Sequence, residues 1–334
     1  MASFFRRVLL FCSPFFILVL IYLISDPFEI LYNYDNYNGN IYIPKNRDFI
    51  STEMYLKNSK KYIYDSFIFG ASTAVCIPPS IWGKHIKTSN RIFSFDASGE
   101  NIVGIWSKIK YVQQMNDHLK NALLVFDTGV TFGKFNNNIP VLMKHYKVYH
   151  SSKLFFHYIY FLKFLNIKFL IALVHHGVSN KFYPYMDDVL DNRLYYYDEI
   201  TNEIHTYARL NELKIDSIHY YLKRRDLLTP RSDIQLFMDR QIDTNHIRML
   251  KEINEIFVKD GTDFRIVITP LYNQIAFNKD DLRILQTIFG EKNIFDFSGI
   301  NEFTKKTSNY YDVFHFKPYV GAEILDIVYK SCNK

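Results

Sequence analysis

Ile63-Tyr64-Asp65-Ser66-Phe67-Ile68-Phe69-Gly70-Ala71-Ser72-Thr73 is the stretch whose reading decides the fold. A short β-branched and aromatic run that ends in a glycine reads as a buried strand. Gly70 and Ala71 are small enough to let the backbone turn sharply and to leave space beside a hydroxyl. Ser72 then falls at the N-terminus of a helix, where backbone N–H groups can stabilise an oxyanion. Strand-Gly-Ala-Ser also recurs by chance, and a helix-capping serine is the plainer account of this motif taken alone.

The chain on either side has an alternating rhythm. Ala74 to Lys84 holds a short helix interrupted by Pro78 and Pro79, and Arg91 to Phe95 is a second strand. Asn101 to Leu119 places Ile102, Ile105, Ile109, Val112 and Met115 on one helical side, and Ala122 to Phe126 is a third strand. Further on, a helix over His246 to Val258 precedes a fourth strand, Phe264 to Thr269. Asp280 to Phe289 is helical, Ile294 to Phe297 is a fifth strand, and Pro318 opens a last helix. Strands alternating with helices predict an α/β fold: a three-layer parallel sheet with helices on both faces. Residues 130 to 240 break the rhythm and read as a helical insertion.

The second chemical motif is Tyr311-Asp312-Val313-Phe314-His315-Phe316-Lys317-Pro318. A serine nucleophile needs a base, and the base needs an acid to fix its tautomer. Asp312 and His315 can supply both from one turn. The loops after strand carboxyl ends gather at one edge of a parallel sheet, so a serine after the first strand and a late Asp-x-x-His loop can meet there. That joint placement outweighs the plainer account.

With these motifs the chain resembles the SGNH/GDSL hydrolase superfamily. Gly70-Ala71-Ser72 matches its first block, and Asp312-x-x-His315 with Pro318 and Gly321 looks like its last. Ser94-Phe95-Asp96-Ala97-Ser98-Gly99 stands where the second block places an oxyanion-hole glycine. The resemblance implies a flavodoxin-like sheet and a catalytic triad of Ser72, Asp312 and His315. It covers about 60 to 130 and 245 to 330. The third block usually carries Gly-x-Asn, whereas this chain has Val125-Phe126-Asp127-Thr128-Gly129. The implied oxyanion hole then rests on backbone N–H groups of Ser72 and Gly99, helped by Thr128. Loss of one donor costs several kcal/mol in a transition state.

Arg6 and Arg7 precede an apolar run from Val8 to Ser25. Its length is at the short end of the roughly 20 residues a transmembrane helix needs. Nothing after the run offers a small-x-small cleavage site, which favours an uncleaved anchor over a signal peptide. The positive-inside rule then puts Arg6 and Arg7 in the cytoplasm and everything after Asp26 outside. This predicts residues 1–25 as stub and anchor, 26–60 as a polar linker, and 61–334 as the SGNH-like domain. Leu154 to Val174 is a second apolar stretch. Lys163 and Lys168 would be costly near the centre of a span, so it reads as a helix pair buried in the domain or lying on the membrane surface.

Composition bounds the alternatives. The chain is 48% hydrophobic and 22% charged, which supplies a core and argues against disorder. Its net charge of +6 is dispersed, and the densest basic run, Lys223-Arg224-Arg225, meets Asp226 at once, so nucleic-acid binding is not indicated. Cys12, Cys76 and Cys332 show no metal-ligand spacing; Cys76 and Cys332 are the pair left open for a disulfide. No metal or organic cofactor is expected.

The anchor, the altered third block and the insertion together resemble the extracytoplasmic alginate O-acetylation proteins and the D-alanyl transfer protein of teichoic acid synthesis. That branch implies an acyltransferase or esterase acting on a cell-envelope or secreted polysaccharide, periplasmic or at the cell surface. It also implies a glycan acceptor and a membrane-bound O-acyltransferase as partner. The rival reading is a non-catalytic glycan-binding or scaffold subunit, favoured by the altered third block.

Overall fold

The computed structural model describes residues 1–39, 42–86, 91–115, 118–133, 139–191, 195–225 and 228–330. Its centre is a five-stranded parallel sheet in the order β2-β1-β3-β6-β7. These strands are β1 (Ser66–Gly70), β2 (Ile92–Ser94), β3 (Asn121–Phe126), β6 (Asp263–Ile268) and β7 (Ile294–Asp296). Counted among themselves they run 2-1-3-4-5, the doubly wound order in which the winding reverses between β1 and β3. β1 and β3 pair over their whole common length, from Ser66 beside Asn121 to Gly70 beside Val125. Every residue of both strands is buried, which is why they read as continuous apolar runs rather than alternating ones.

Alternate strand residues serve opposite layers. Phe67, Phe69, Leu124 and Ile266 face one core, which is closed by α2 (Arg47–Tyr62), α4 (Ile102–Gln114), α10 (Thr244–Asp260) and α11 (Lys279–Phe289). Ile68, Leu123, Val125 and Val267 face the other, closed by α3 (Pro79–Ile86) and α12 (Pro318–Lys330). The three layers thus match the expectation of helices on both faces. α10 stops where Gly261 takes φ +65°, a left-handed position that glycine occupies without strain.

The expected linker over 26–60 is instead part of the domain. Phe28, Phe49, Ile50 and Tyr55 are buried, and Asn46 caps α2 by accepting the Phe49 N–H at 2.8 Å. The polar residues that disguised this helix are buried as well, with partners distant in sequence. Lys108, fully buried on α4, pairs with Glu100 at 2.5 Å and with Asp48 of α2 at 3.2 Å. Burial raises the Asp48 carboxyl, but the ammonium groups of Lys108 and Lys144 outweigh it and hold its pKa below the usual carboxylate value.

The insertion contains α5 (Tyr146–Tyr149), α6 (Lys153–Phe164), α7 (Ile167–Ser179), α8 (Tyr207–Ile215), α9 (Ser217–Lys223) and an antiparallel pair, β4 (Tyr195–Tyr197) with β5 (Ile204–Thr206). At the N-terminus, α1 (Ala2–Ser25) is largely exposed, and its Phe4–Ser25 segment is long and apolar enough to cross a membrane. Cys332 lies outside the described residues, and with it any pairing to Cys76.

One close approach fixes the two halves of the sheet's working edge. Ser72–Cys76 forms a short 3-10 turn after β1, and α12 packs on it at Gly321. A Cβ at position 321 would collide with the Cys76 carbonyl oxygen, so only glycine lets the helix settle there. Gly321→Ala is expected to cost about 1–3 kcal/mol by overpacking, read as a lower urea midpoint at unchanged slope. A midpoint equal to wild type would contradict this packing.

Candidate active site

Ser72 opens the turn that leaves β1 at the point where the winding reverses, where open α/β sheets place ligands. Gly70 makes the turn possible: a Cβ there would stand 2.7 Å from the Val125 carbonyl oxygen of β3. His315 comes from the loop ahead of α12. That loop is closed by the Tyr311 N–H donating to the His315 carbonyl at 2.8 Å and by the Lys317 N–H donating to the Asn309 carbonyl at 2.7 Å. Two tyrosines of α9 brace it from the insertion: Tyr220 Oη donates to the Tyr311 carbonyl (2.8 Å) and Tyr221 Oη to the Tyr310 carbonyl (3.0 Å).

The expected Ser72, His315 and Asp312 are brought together. Ser72 Oγ lies 2.9 Å from His315 Nε2, and His315 Nδ1 lies 2.8 Å from Asp312 Oδ1 and 3.0 Å from Oδ2. The carboxylate on Nδ1 calls for N–H at that atom, so Nε2 carries the lone pair and accepts the serine hydroxyl. Asp312 is itself held in place, because its Oδ1 also accepts the backbone N–H groups of Phe314 and His315, each at 2.9 Å. The acid therefore orients both the loop and the ring. Both side chains are partly exposed, at 24% for His315 and 19% for Asp312, so they are open to solvent.

The other expected oxyanion-hole residues, Gly99 and Thr128, follow β2 and β3, the two strands that pair with β1. The loop after β2 continues alongside β1, with the Ala97 N–H donating to the Gly70 carbonyl at 3.2 Å, and Gly99 follows with φ +60°. Thr128 follows β3 on the other side. Among the described residues no acceptor is present for the N–H of Ser72 or of Gly99, and the Thr128 Oγ1 is buried without a partner. No hydrogen bond joins Gly99 or Thr128 to Ser72 itself.

Asp127, directly after β3, ties neighbouring strand ends together. Its Oδ1 accepts the Thr73 hydroxyl at 2.5 Å and the Thr269 hydroxyl at 2.6 Å, which ties together the chain just beyond β1, β3 and β6. Burial raises its pKa, offset in part by the two hydroxyls and by His315.

Beside Ser72 and His315 lies a cavity of about 300 Å³ whose walls include Arg47, Asp96, Tyr195, Tyr197 and Tyr311. Arg47 organises this wall. Its guanidinium grips the Asp96 carboxylate at 2.7 and 2.9 Å and donates to the Asn202 carbonyl at 2.7 Å, and it sits 5.1 Å from the Tyr197 ring centre. Sequence reading missed Arg47 and Asp96, since their spacing of 49 residues follows no local pattern. Trp82 lies in the core, its Nε1–H donating to Tyr329 Oη at 2.7 Å. Asp191 also lines the cavity.

The Asp127 shift has a signed consequence. A carboxyl that holds its proton more tightly folded than unfolded makes the fold lose stability as pH rises past the unfolded value of about 3.9. Asp127→Asn keeps an acceptor for both threonine hydroxyls and removes the titration. The variant is expected to melt higher than wild type at neutral pH, with the gap closing toward about pH 4. Parallel melting profiles across that range would count against a raised Asp127.

Comparison with protein-family models and with curated proteins finds no match, so the reading of this site rests on its own geometry.

Proposed function

We propose that the protein is a membrane-anchored serine acyltransferase or esterase that adds or removes O-acyl groups on a cell-envelope or secreted polysaccharide. The carrying observation is the continuous relay from Ser72 Oγ through His315 to Asp312. Ser72 Oγ attacks the acyl carbonyl while its proton passes to His315 Nε2. The tetrahedral intermediate collapses, the acyl–oxygen bond to the donor breaks, and the leaving alcohol takes the proton from His315. A sugar hydroxyl or water then gives its proton to His315 and attacks the acyl-serine, and Ser72 is regenerated as the acyl product leaves.

Two further features favour this reading. The cavity beside Ser72 presents tyrosine side chains together with the polar Arg47 and Asp96, a mixture that suits a sugar ring and its hydroxyls. In addition, α1 offers an anchor, with Arg6 and Arg7 on the cytoplasmic side and the domain outside under the positive-inside rule. In that setting the acyl donor is supplied at the bilayer, the task of a membrane-bound O-acyltransferase partner. A purely glycan-binding subunit has no use for a histidine held in one tautomer against a serine hydroxyl.

A serine-directed fluorophosphonate probe is expected to label the wild-type chain and to leave Ser72→Ala unlabelled; equal labelling of the two overturns the assignment. Asp312→Asn is expected to keep the fold and lower acyl turnover on the order of 10⁴-fold, the loss seen when a triad acid is neutralised. Turnover within a few-fold of wild type would remove Asp312 from the relay.

A further inference from the structure

The bent pair α6–α7 has two apolar faces, and only one of them is used by the fold. Phe156, Tyr160, Phe164 and Phe169 pack into the core. On the outer side, Ile167, Ile171, Val174 and Val178 of α7 form a stripe at helical spacing and are 55–85% exposed. On α6, Leu154 and Tyr158 are exposed as well, at 84% and 55%. Exposed apolar area on this scale marks a surface that meets something other than water.

Contacts with α1 say what that is. Phe161 of α6 sits against Phe15 (ring centres 6.2 Å apart) and against Tyr22 (5.2 Å). Phe15 and Tyr22 are separated by roughly 10 Å along a helix rising about 1.5 Å per residue. Phe15 lies near the middle of the Phe4–Ser25 segment, and Tyr22 less than one turn from its end. With α1 spanning a hydrocarbon core of about 30 Å, Phe161 must lie below the bilayer surface.

Each helix of the pair is too short to cross, and the two meet at 64°. The bend leaves few polar groups bare: the Leu165 N–H donates to the Phe161 carbonyl (3.0 Å), the Asn166 N–H to the Lys163 carbonyl (3.2 Å), and Asn166 caps α7 through the Phe169 N–H (3.1 Å). Backbone at this depth is tolerated only when so satisfied.

We infer that α6–α7 is immersed in the leaflet that holds the C-terminal half of α1, with the Leu154–Tyr158 and Ile167–Val178 faces against lipid acyl chains. The inference rests on α1 being a membrane span, and it goes beyond a single-helix tether. It also joins the bilayer to the proposed site. Tyr160 Oη donates to the Pro140 carbonyl at 2.6 Å, and the Asn46 side chain donates to the carbonyls of Pro140 (2.9 Å) and Met143 (2.7 Å). The neighbouring Val141, Lys45 and Arg47 line the cavity beside Ser72. The cavity wall is therefore fastened to a helix lying in lipid.

The test uses the full chain in vesicles of phosphatidylethanolamine and phosphatidylglycerol carrying an alkyne-tagged acyl chain, with photoreactive p-benzoylphenylalanine at single exposed positions. Residues 158 and 171 are expected to cross-link to lipid as strongly as position 11 of α1. Position 258 of α10, 71% exposed on a helix packed against α4 and α11, is expected to give only background. Background labelling at 158 and 171 alongside strong labelling at 11 overturns the inference and leaves the anchor intact. Adducts between two protein copies in place of lipid adducts overturn it too, by showing a second copy as the occupant. Background at 11 as well overturns the anchor, and the inference with it.

Discussion

The backbone of α12 lies directly on the Ser72–Cys76 turn, and the arrangement of the whole working edge depends on that contact. Gly321 over the Cys76 carbonyl sets how near the last helix comes to the first strand. Residues 243 apart in sequence are thereby brought to 2.9 Å, Ser72 Oγ to His315 Nε2. Gly70 makes the complementary approach on the sheet side, where β3 leaves no space for a Cβ. The Ser72 turn is thus held between β3 and α12, a setting that keeps Ser72 Oγ and His315 Nε2 at hydrogen-bond distance.

Buried charge organises the other side of the site. Arg47 joins the start of α2, the loop after β2 and the insertion in one desolvated cluster with Asp96 and Asn202. Removing one partner of such a buried pair typically costs about 3–5 kcal/mol, because the other charge is left uncompensated. These ties are specific in geometry, and they bind the extension that follows α1 to the cavity wall. The extension after α1 and the candidate site are parts of one packed body.

The sheet was legible because its signals are strong and local. Phe67-Ile68-Phe69 and Leu123-Leu124-Val125 are short apolar runs bounded by turn residues, as buried strands are, and the α10 and α11 stretches carry clear helical spacing. Ser72, Asp312 and His315 were legible because chain order and sheet edge together constrain where they fall. The helix α2 was not, since Arg47, Asp48 and Glu53 look solvated in sequence, yet the first two are buried and the third half-buried through partners far along the chain. His145 and Lys147 are the partners that hold the Glu53 carboxyl down to about 2 against the effect of its burial. Asp127 was hidden in another way: nothing local in Val125-Phe126-Asp127-Thr128-Gly129 signals that its carboxylate ties the ends of three strands through Thr73 and Thr269.

The central claim is that Ser72 carries the acyl group, and trapping that intermediate tests it most directly. Full-length protein would be exposed to an activated acetyl ester, quenched in acid and digested, and the acetylated peptide located by tandem mass spectrometry. The account predicts a single acetyl group on Ser72 that disappears on addition of a sugar acceptor or with time in water, and that fails to form in His315→Ala. No adduct, or an acetyl group carried elsewhere with Ser72 unmodified, would contradict it.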